Sequence, residues 1–359
     1  MSDETDSEED KKLVNTPPTT PKKSIQFDLF SQFCANDHAE VSNAVEIWDS
    51  IPKYFFTPRQ IEKLRTGSGH ADPFTWDYHY NNAAFSVRIQ PALIEQPDGS
   101  YRAFFPGVTE ELVEEALKKI LADQTYGFHD VSNTETWVRF TLNMIKRELA
   151  ARGRARNIPD IKHAIEVMSS CMISVRKNGK ELWKGAILQD LVTVGRKEYL
   201  ADTDSHHLGR LPLFISHAIN RLGMRQFNLD RLMTCDDQLS RWIYRKMIHR
   251  FTQAHVTQTY HFLFSTIQGE SALLQQGRDI DNRRKVRNAL EELKRRGVVM
   301  VYSESLVKQG RKVVDAKYEV RPSTDFSTEQ KAANKRDSDN KRTAQSSGIR
   351  LIIDNQSDF

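Results

Sequence analysis

Residues 279–297 read DIDNRRKVRNALEELKRRG, and two strand-like runs follow them, VVMVYSES (298–305) and VVDAKYEV (313–320). Val286, Ala289, Leu290 and Leu293 recur at helical spacing, so this stretch predicts a helix with one apolar stripe, ended by Gly297. The two runs are rich in β-branched and aromatic residues and enclose a polar turn with Gly310, which predicts a hairpin. A long helix followed by a hairpin is the closing part of a winged-helix unit.

The upstream sequence supplies the remaining elements of such a unit, and a similar order occurs earlier in the chain. Helices are predicted at 236–253 and 265–274, with a short strand at 259–265. Earlier, helices are predicted from Thr109, over 134–150 and after Pro159, and then Asn178-Gly179 marks a tight hairpin. The sequence therefore predicts an α+β fold with two tandem winged-helix domains, an irregular N-terminal preface and disordered tails.

Changes in composition place the boundaries between these parts. The acidic and then Pro/Thr-rich start and the polar end lack apolar periodicity, which is typical of disorder. The predicted parts are a tail at 1–24, a possible sliding-clamp-binding segment at 25–45, an aromatic preface at 46–108, the first winged helix at 109–228, the second at 229–327, and a C-terminal tail at 328–359.

The overall charge conceals a basic body. The 359 residues carry a formal net charge of +4, but residues 1–10 hold six acids and no base. No apolar run approaches the ~18 residues of a membrane helix, so no membrane partner is expected. Three scattered cysteines, Cys34, Cys171 and Cys235, fit a reducing bacterial cytoplasm and exclude a disulfide scaffold.

The first turns of the 279–297 helix carry arginines that point to DNA. Cations near the positive end of a helix are unfavourable without an anionic partner, and DNA supplies one. The alternative is a solvated basic face. The DNA-binding residues predicted here and in the following hairpin are Arg283, Arg284, Arg287, Asn288, Lys294, Arg295, Arg311 and Lys312.

A second basic region lies in the first unit. The turn RGRAR (152–156) and the first hairpin predict contacts with phosphate or the minor groove. An ordinary solvated loop is the alternative. The residues concerned are Arg152, Arg154, Arg156, Lys177 and Lys180.

The peptide Gln26-Phe27-Asp28-Leu29-Phe30 offers two apolar anchors and an amide within a polar tail. It resembles the QL(S/D)LF peptide by which replication proteins dock on the bacterial sliding clamp, and it departs from that peptide at Phe27. In the alternative, Phe27, Leu29 and Phe30 pack on the body.

Enzymatic interpretations lack support. There is no GxxxxGK[ST] phosphate loop, and His206-His207 are adjacent instead of separated by one apolar residue. His70 and His79 are better explained by packing than by a metal. We expect no catalytic residue, metal or cofactor.

Five segments resemble plasmid replication initiator (Rep) proteins, with a similarity that covers roughly residues 46–335. The resemblance implies two winged helices that bind repeated origin sites (iterons), open adjacent AT-rich DNA, and recruit the host replicative helicase and chromosomal initiator. It also implies monomer–dimer self-association and autorepression. A winged-helix transcriptional repressor and a rolling-circle nicking enzyme remain the alternatives. The segments are ETWVRFTLNMIKRELA (135–150), IKHAIEVMSSCMISV (161–175), ELWKGAILQDLVTVGRKEYLAD (181–202), RLPLFISHAINRLGMRQFNLDRLM (210–233) and RRKVRNALEELKRRGVV (283–299).

Overall fold

The computed structural model describes residues 39–123, 126–193, 205–275 and 277–346. None of the helices in these ranges is long and apolar enough to cross a membrane. The helices are α1 Glu46–Ser50, α2 Pro58–Leu64, α3 Val108–Leu121, α4 Leu142–Ala151, α5 Ile158–Ser170, α6 Leu213–Asn220, α7 Leu229–Thr234, α8 Gln238–Arg250, α9 Phe264–Ser271, α10 Asp279–Arg295 and α11 Thr324–Ser346. The strands are β1 Val41–Val45, β2 Phe74–Tyr80, β3 Ala83–Gln90, β4 Ala92–Glu95, β5 Tyr101–Phe104, β6 Gly127–Asp130, β7 Glu135–Phe140, β8 Met172–Lys177, β9 Lys180–Ala186, β10 Gln189–Thr193, β11 His207–Arg210, β12 Met224–Asn228, β13 Tyr260–Leu263, β14 Val299–Gln309 and β15 Lys312–Pro322.

The second winged helix contains α8, β13, α9, α10 and the hairpin β14–β15. The apolar stripe of α10 is fully buried, with Val286 and Leu293 at 0% exposure, and α10 packs on α8. Gly297 adopts a φ of +70°, so the chain can turn directly from α10 into the sheet. The sheet order is β13-β15-β14. The helix at 279–295, the hairpin that follows it and the second winged-helix unit are therefore confirmed.

The first winged helix contains α3, α4, α5 and the hairpin β8–β9. Asn178 and Gly179 have φ values of 49° and 81°, as a tight type I′ hairpin turn requires. The aromatic preface is part of this unit, because β2 and β3 extend its hairpin into a sheet of order β2-β3-β8-β9. The predicted pair of tandem winged helices in an α+β fold is therefore confirmed.

The helix predicted over 134–150 is wrong in its first half. Residues 135–140 form β7, the strand between β6 and β11, and α4 begins only after Thr141. Val138 and Phe140 are fully buried while Arg139 is exposed, an alternation that a strand satisfies. The Thr141 hydroxyl accepts a hydrogen bond from the Met144 amide and caps α4.

A cluster of buried charges joins α1 and α3 of the first unit to α8 of the second. Its carboxylates and cations pair with one another in short contacts, for example Glu111 to Arg241 at 2.7 Å and to Arg245 at 2.6 Å. Burial of charge is tolerated only with such partners. The cluster consists of Asp49, Glu111, Glu114, Glu115, Lys53, Lys118, Arg241 and Arg245.

The C-terminal tail predicted from residue 328 is wrong as far as residue 346. Helix α11 continues through this region and packs against β12. Phe326 and Ala344 are fully buried, and Arg225 of β12 donates to the side chains of Gln330 and Asn334. Few positions of this helix are apolar, so the sequence shows no apolar periodicity that would predict it. Its stabilising contacts are largely side-chain hydrogen bonds.

Candidate nucleic-acid interface

The side of α10 opposite its buried stripe is a polar and basic face. The Arg284 side chain is 65% exposed, and Asn288, Lys294 and Arg295 are exposed as well. Arg283 and Arg287 lie at the border of this face and are half-buried. All six residues predicted on this helix therefore lie on one side of it or at its edge.

Each of the three N-terminal arginines has a partner within the protein. Arg284 pairs with Asp281 at 3.0 Å, and Arg287 pairs with Glu304 of β14 at 3.0 Å. The Arg283 guanidinium lies over the Phe264 ring at 6.0 Å. The sequence argument expected DNA to be the anionic partner of these arginines. For Arg284 and Arg287 the protein itself supplies an acidic partner. These contacts hold the guanidinium groups in place while leaving them open to solvent.

The hairpin β14–β15 projects well beyond the rest of its sheet. Both strands have 11 residues, but β13 pairs only with Lys317–Val320 of β15. The tip carries Lys308, Arg311 and Lys312 around Gly310, which has a φ of +59°. This wing therefore presents an exposed basic tip at a distance from the hydrophobic core.

Two wing residues connect the strand β14 to α10. The Tyr318 hydroxyl donates to Glu304 at 3.0 Å, and burial together with this hydrogen bond raises the pKa of Tyr318. Glu304 in turn holds Arg287. Sequence reasoning missed both residues, although an acidic Glu304 in the strand that follows a basic helix was a usable signal for one of them.

Arg152 and Arg154 of the predicted DNA-binding turn form ion pairs within the fold. The Arg152 side chain is 6% exposed and bonds to Glu148, Asp230 and the Ala39 carbonyl. Arg154 pairs with Asp236 at 2.7 Å and donates to the Met233 carbonyl. These contacts fasten the turn after α4 to the α7–α8 region. Arg156 is half-buried and donates to the neighbouring Ala155 carbonyl.

Among the described residues of the first unit, the helix α5 before the hairpin does not present a basic face like that of α10. Its α5 packs against β4, and the Phe104 ring contacts the His163 ring edge-on at 4.5 Å. The exposed positions of α5 include Asp160 and Glu166, which would repel phosphate. Lys180 at the hairpin β8–β9 is exposed and Lys177 half-buried, so both stay candidates for backbone contacts.

A second exposed surface lies on the sheet of order β10-β11-β7-β6. Its outward face presents Phe128, Leu208 and Val192, exposed by 49%, 38% and 57%. The Arg210 side chain lies on the same face, where it pairs with Asp190 and lies over the Trp137 ring. This aromatic face combines apolar groups with charges of both signs, so it suits a protein partner better than DNA.

Several titratable groups outside these surfaces are buried within the fold. His207 lies 2% exposed beside the Phe140 ring, 5.4 Å away, while His206 is exposed, so the two side chains lie apart. Burial raises the pKa of Cys171 and Cys235 to about 12, which keeps these thiols protonated. Across the described ranges no three His, Cys, Asp or Glu side chains are grouped to hold a metal. The segment Gln26–Phe30 lies outside the described residues.

Comparison with known proteins finds similarity only among solved structures. No protein-family model and no curated protein matches the chain. Domains 2 and 3 of RctB, as a selenomethionine derivative, are 13% identical with a TM-score of 0.47, covering 78% of this chain and 98% of that one. A second structure of RctB domains 2–3 is 12% identical with a TM-score of 0.44, covering 75% and 97%. The Pi initiator protein in complex with iteron DNA is 13% identical with a TM-score of 0.42, covering 59% and 91%.

Proposed function

We propose that this protein is a replication initiator that binds directly repeated origin DNA. The observation that carries the proposal is the open basic face of α10 beside a basic-tipped wing. The Arg284 and Arg287 side chains are exposed by 65% and 37% and are held by acidic neighbours. An α-helix of this kind fits the major groove, where arginine binds guanine O6 and N7.

The two halves of this surface have different tasks. Side chains on α10 reach base edges and confer sequence specificity, whereas Arg311 and Lys312 at the wing tip neutralise phosphates. No phosphate-binding loop for ATP occurs in the sequence, so origin opening draws on the free energy of DNA binding and on host proteins. The initiation step itself is supported by the resemblance of five sequence segments to Rep proteins.

The DNA next to the gene provides the first test. Several direct repeats of about 20 base pairs beside an AT-rich tract are expected for an initiator, since one winged-helix pair covers about two turns of DNA. Fluorescence anisotropy should then show tight binding to one repeat and weak binding to a shuffled sequence. A lone palindrome bound by the protein would favour the transcriptional repressor instead.

The role of Arg287 can be tested by the variant Arg287→Ala. If this side chain reaches a base, the variant should lose about 1–3 kcal/mol on the repeat and discriminate less between repeat and shuffled DNA. Because Arg287 also pairs with Glu304, the matched control is Glu304→Gln, which removes the pair and keeps the guanidinium. Equal weakening on both DNAs would mean that Arg287 contacts phosphate only.

Recruitment of the host helicase, the chromosomal initiator and the sliding clamp is also part of the proposal, as is autorepression.

Origin opening can be tested directly. Permanganate footprinting of supercoiled origin DNA should reveal unpaired thymines in the AT-rich tract only when the protein is present. The nicking alternative requires a covalent protein–DNA adduct after incubation with a divalent metal. Detection of that adduct would overturn the non-enzymatic proposal.

Self-association is proposed through the aromatic face of the sheet β10-β11-β7-β6. Phe128 and Leu208 supply apolar area, and the opposite charges of Arg210 and Asp190 allow two copies to face each other. Light scattering should show a dimer for the wild type and a monomer for Phe128→Asp. A Val314→Asp variant on the wing, 48% exposed in the wild type, is the control and should stay dimeric.

A further inference from the structure

A carboxylate lies in the centre of the basic face of α10. Arg284, Asn288 and Glu291 follow one another at i, i+4 and i+7, and Arg295 continues the row one turn later. All four are exposed, and the row lies opposite the buried Val286 and Leu293. The sequence prediction of DNA contacts included three members of this row and left Glu291 out.

A carboxylate at this place is unfavourable for binding to phosphate. Each acidic group on a DNA-facing surface repels the backbone and lowers non-specific affinity. In a complex with DNA it becomes favourable opposite a hydrogen-bond donor on a base edge. In the major groove those donors are the N4 amino group of cytosine and the N6 amino group of adenine, and glutamate is suited to cytosine.

The wing lies beside Glu291. Strand β14 packs against α10, and burial together with the nearby Glu291 carboxylate raises the pKa of Tyr302 on this strand. Two residues further along the same strand, Glu304 holds Arg287. The wing therefore binds Arg287 directly and lies close to Glu291, which is four residues further along α10.

We propose that Glu291 is a specificity-determining residue that accepts a hydrogen bond from the N4 amino group of a cytosine, with Tyr302 as its positioning residue. The inference rests on the proposed function, in which α10 lies in the major groove. Seven residues of helix separate Arg284 from Glu291, a rise of about 10 Å. This corresponds to about three base-pair steps between the guanine bound by Arg284 and the cytosine bound by Glu291.

The experiment is selection of binding sites from a random oligonucleotide pool by the full-length protein, followed by anisotropy on the consensus and its single-base variants. The wild type should prefer cytosine at one position by about 5- to 150-fold. Glu291→Ala should reduce this preference to about one-fold, and Glu291→Gln should change it toward adenine, which glutamine binds. Tyr302→Phe should weaken the cytosine preference without altering binding to random DNA.

Two controls separate base reading from charge and folding. Glu95→Gln removes an exposed carboxylate on β4 of the first unit and should leave the selected site unchanged. Unchanged thermal unfolding of the Glu291 and Tyr302 variants shows that the fold is intact. If the variants select the same site as the wild type, Glu291 reads no base and the inference is overturned alone. If the wild type selects no sequence, the proposed function falls together with the inference.

Discussion

Glu111 lies at the centre of the buried charge cluster between the two units, and its replacement by glutamine should destabilise the protein by about 3–5 kcal/mol. The carboxylate accepts hydrogen bonds from Arg241 at 2.7 and 3.1 Å and from Arg245 at 2.6 Å. The variant leaves these two buried guanidinium groups facing a neutral amide. A buried cation that loses its counter-ion cannot recover its hydration, which is the reason for the large effect.

The pKa of Glu111 gives an independent magnitude of the same order. Burial alone raises this pKa, but the charges of Arg241 and Arg245 outweigh it and lower the value from 4.5 to about 2. At 1.36 kcal/mol per pKa unit, the ionised carboxylate contributes about 3 kcal/mol. Since the folded pKa is below the unfolded one, this contribution is present above about pH 4.5 and is lost as the pH falls toward 2.

Urea unfolding followed by circular dichroism measures the effect. At pH 7, Glu111→Gln should unfold at lower urea than the wild type, and the difference should shrink as the pH falls from 5 toward 2. Glu62→Gln is the control, because Glu62 is 67% exposed and its pair with Arg65 is worth at most about 1 kcal/mol. A loss of less than 1 kcal/mol for Glu111→Gln would refute the cluster as a stabilising link.

Three further outcomes are expected. Arg311→Ala at the wing tip should lower the salt slope of DNA binding by up to about 0.9 if it contacts one phosphate, and an unchanged slope would exclude that contact. Arg152→Ala should lower the unfolding midpoint in urea because it removes a buried guanidinium together with its two ion pairs, while the salt slope stays the same. Gln26→Ala combined with Leu29→Ala should abolish sliding-clamp pull-down and leave DNA binding intact; a clamp that the wild type does not retain would contradict the motif.

Local patterns in the sequence were sufficient to predict α10 and both hairpins. The stripe of Val286 and Leu293 repeats within single helical turns, and Asn178-Gly179 adopts its turn through its own backbone preferences. The same local signals indicated which side of α10 is open. They failed for 135–140, where the tendency to form a strand is satisfied only by pairing with β6 and β11.

The amino-acid sequence by itself determined α10 with its basic character and both hairpins, because periodicity, capping and turn chemistry act over a few residues. Tertiary structure alone decided which charges are free. Arg152 and Arg154 look like DNA ligands in the sequence, yet Asp230 and Asp236 bind them from more than 70 positions away. The ion pair between Arg287 and Glu304 likewise needs β14 beside α10. An ion pair depends on two side chains that are close in space, and a local sequence pattern cannot predict a partner that is distant in the sequence.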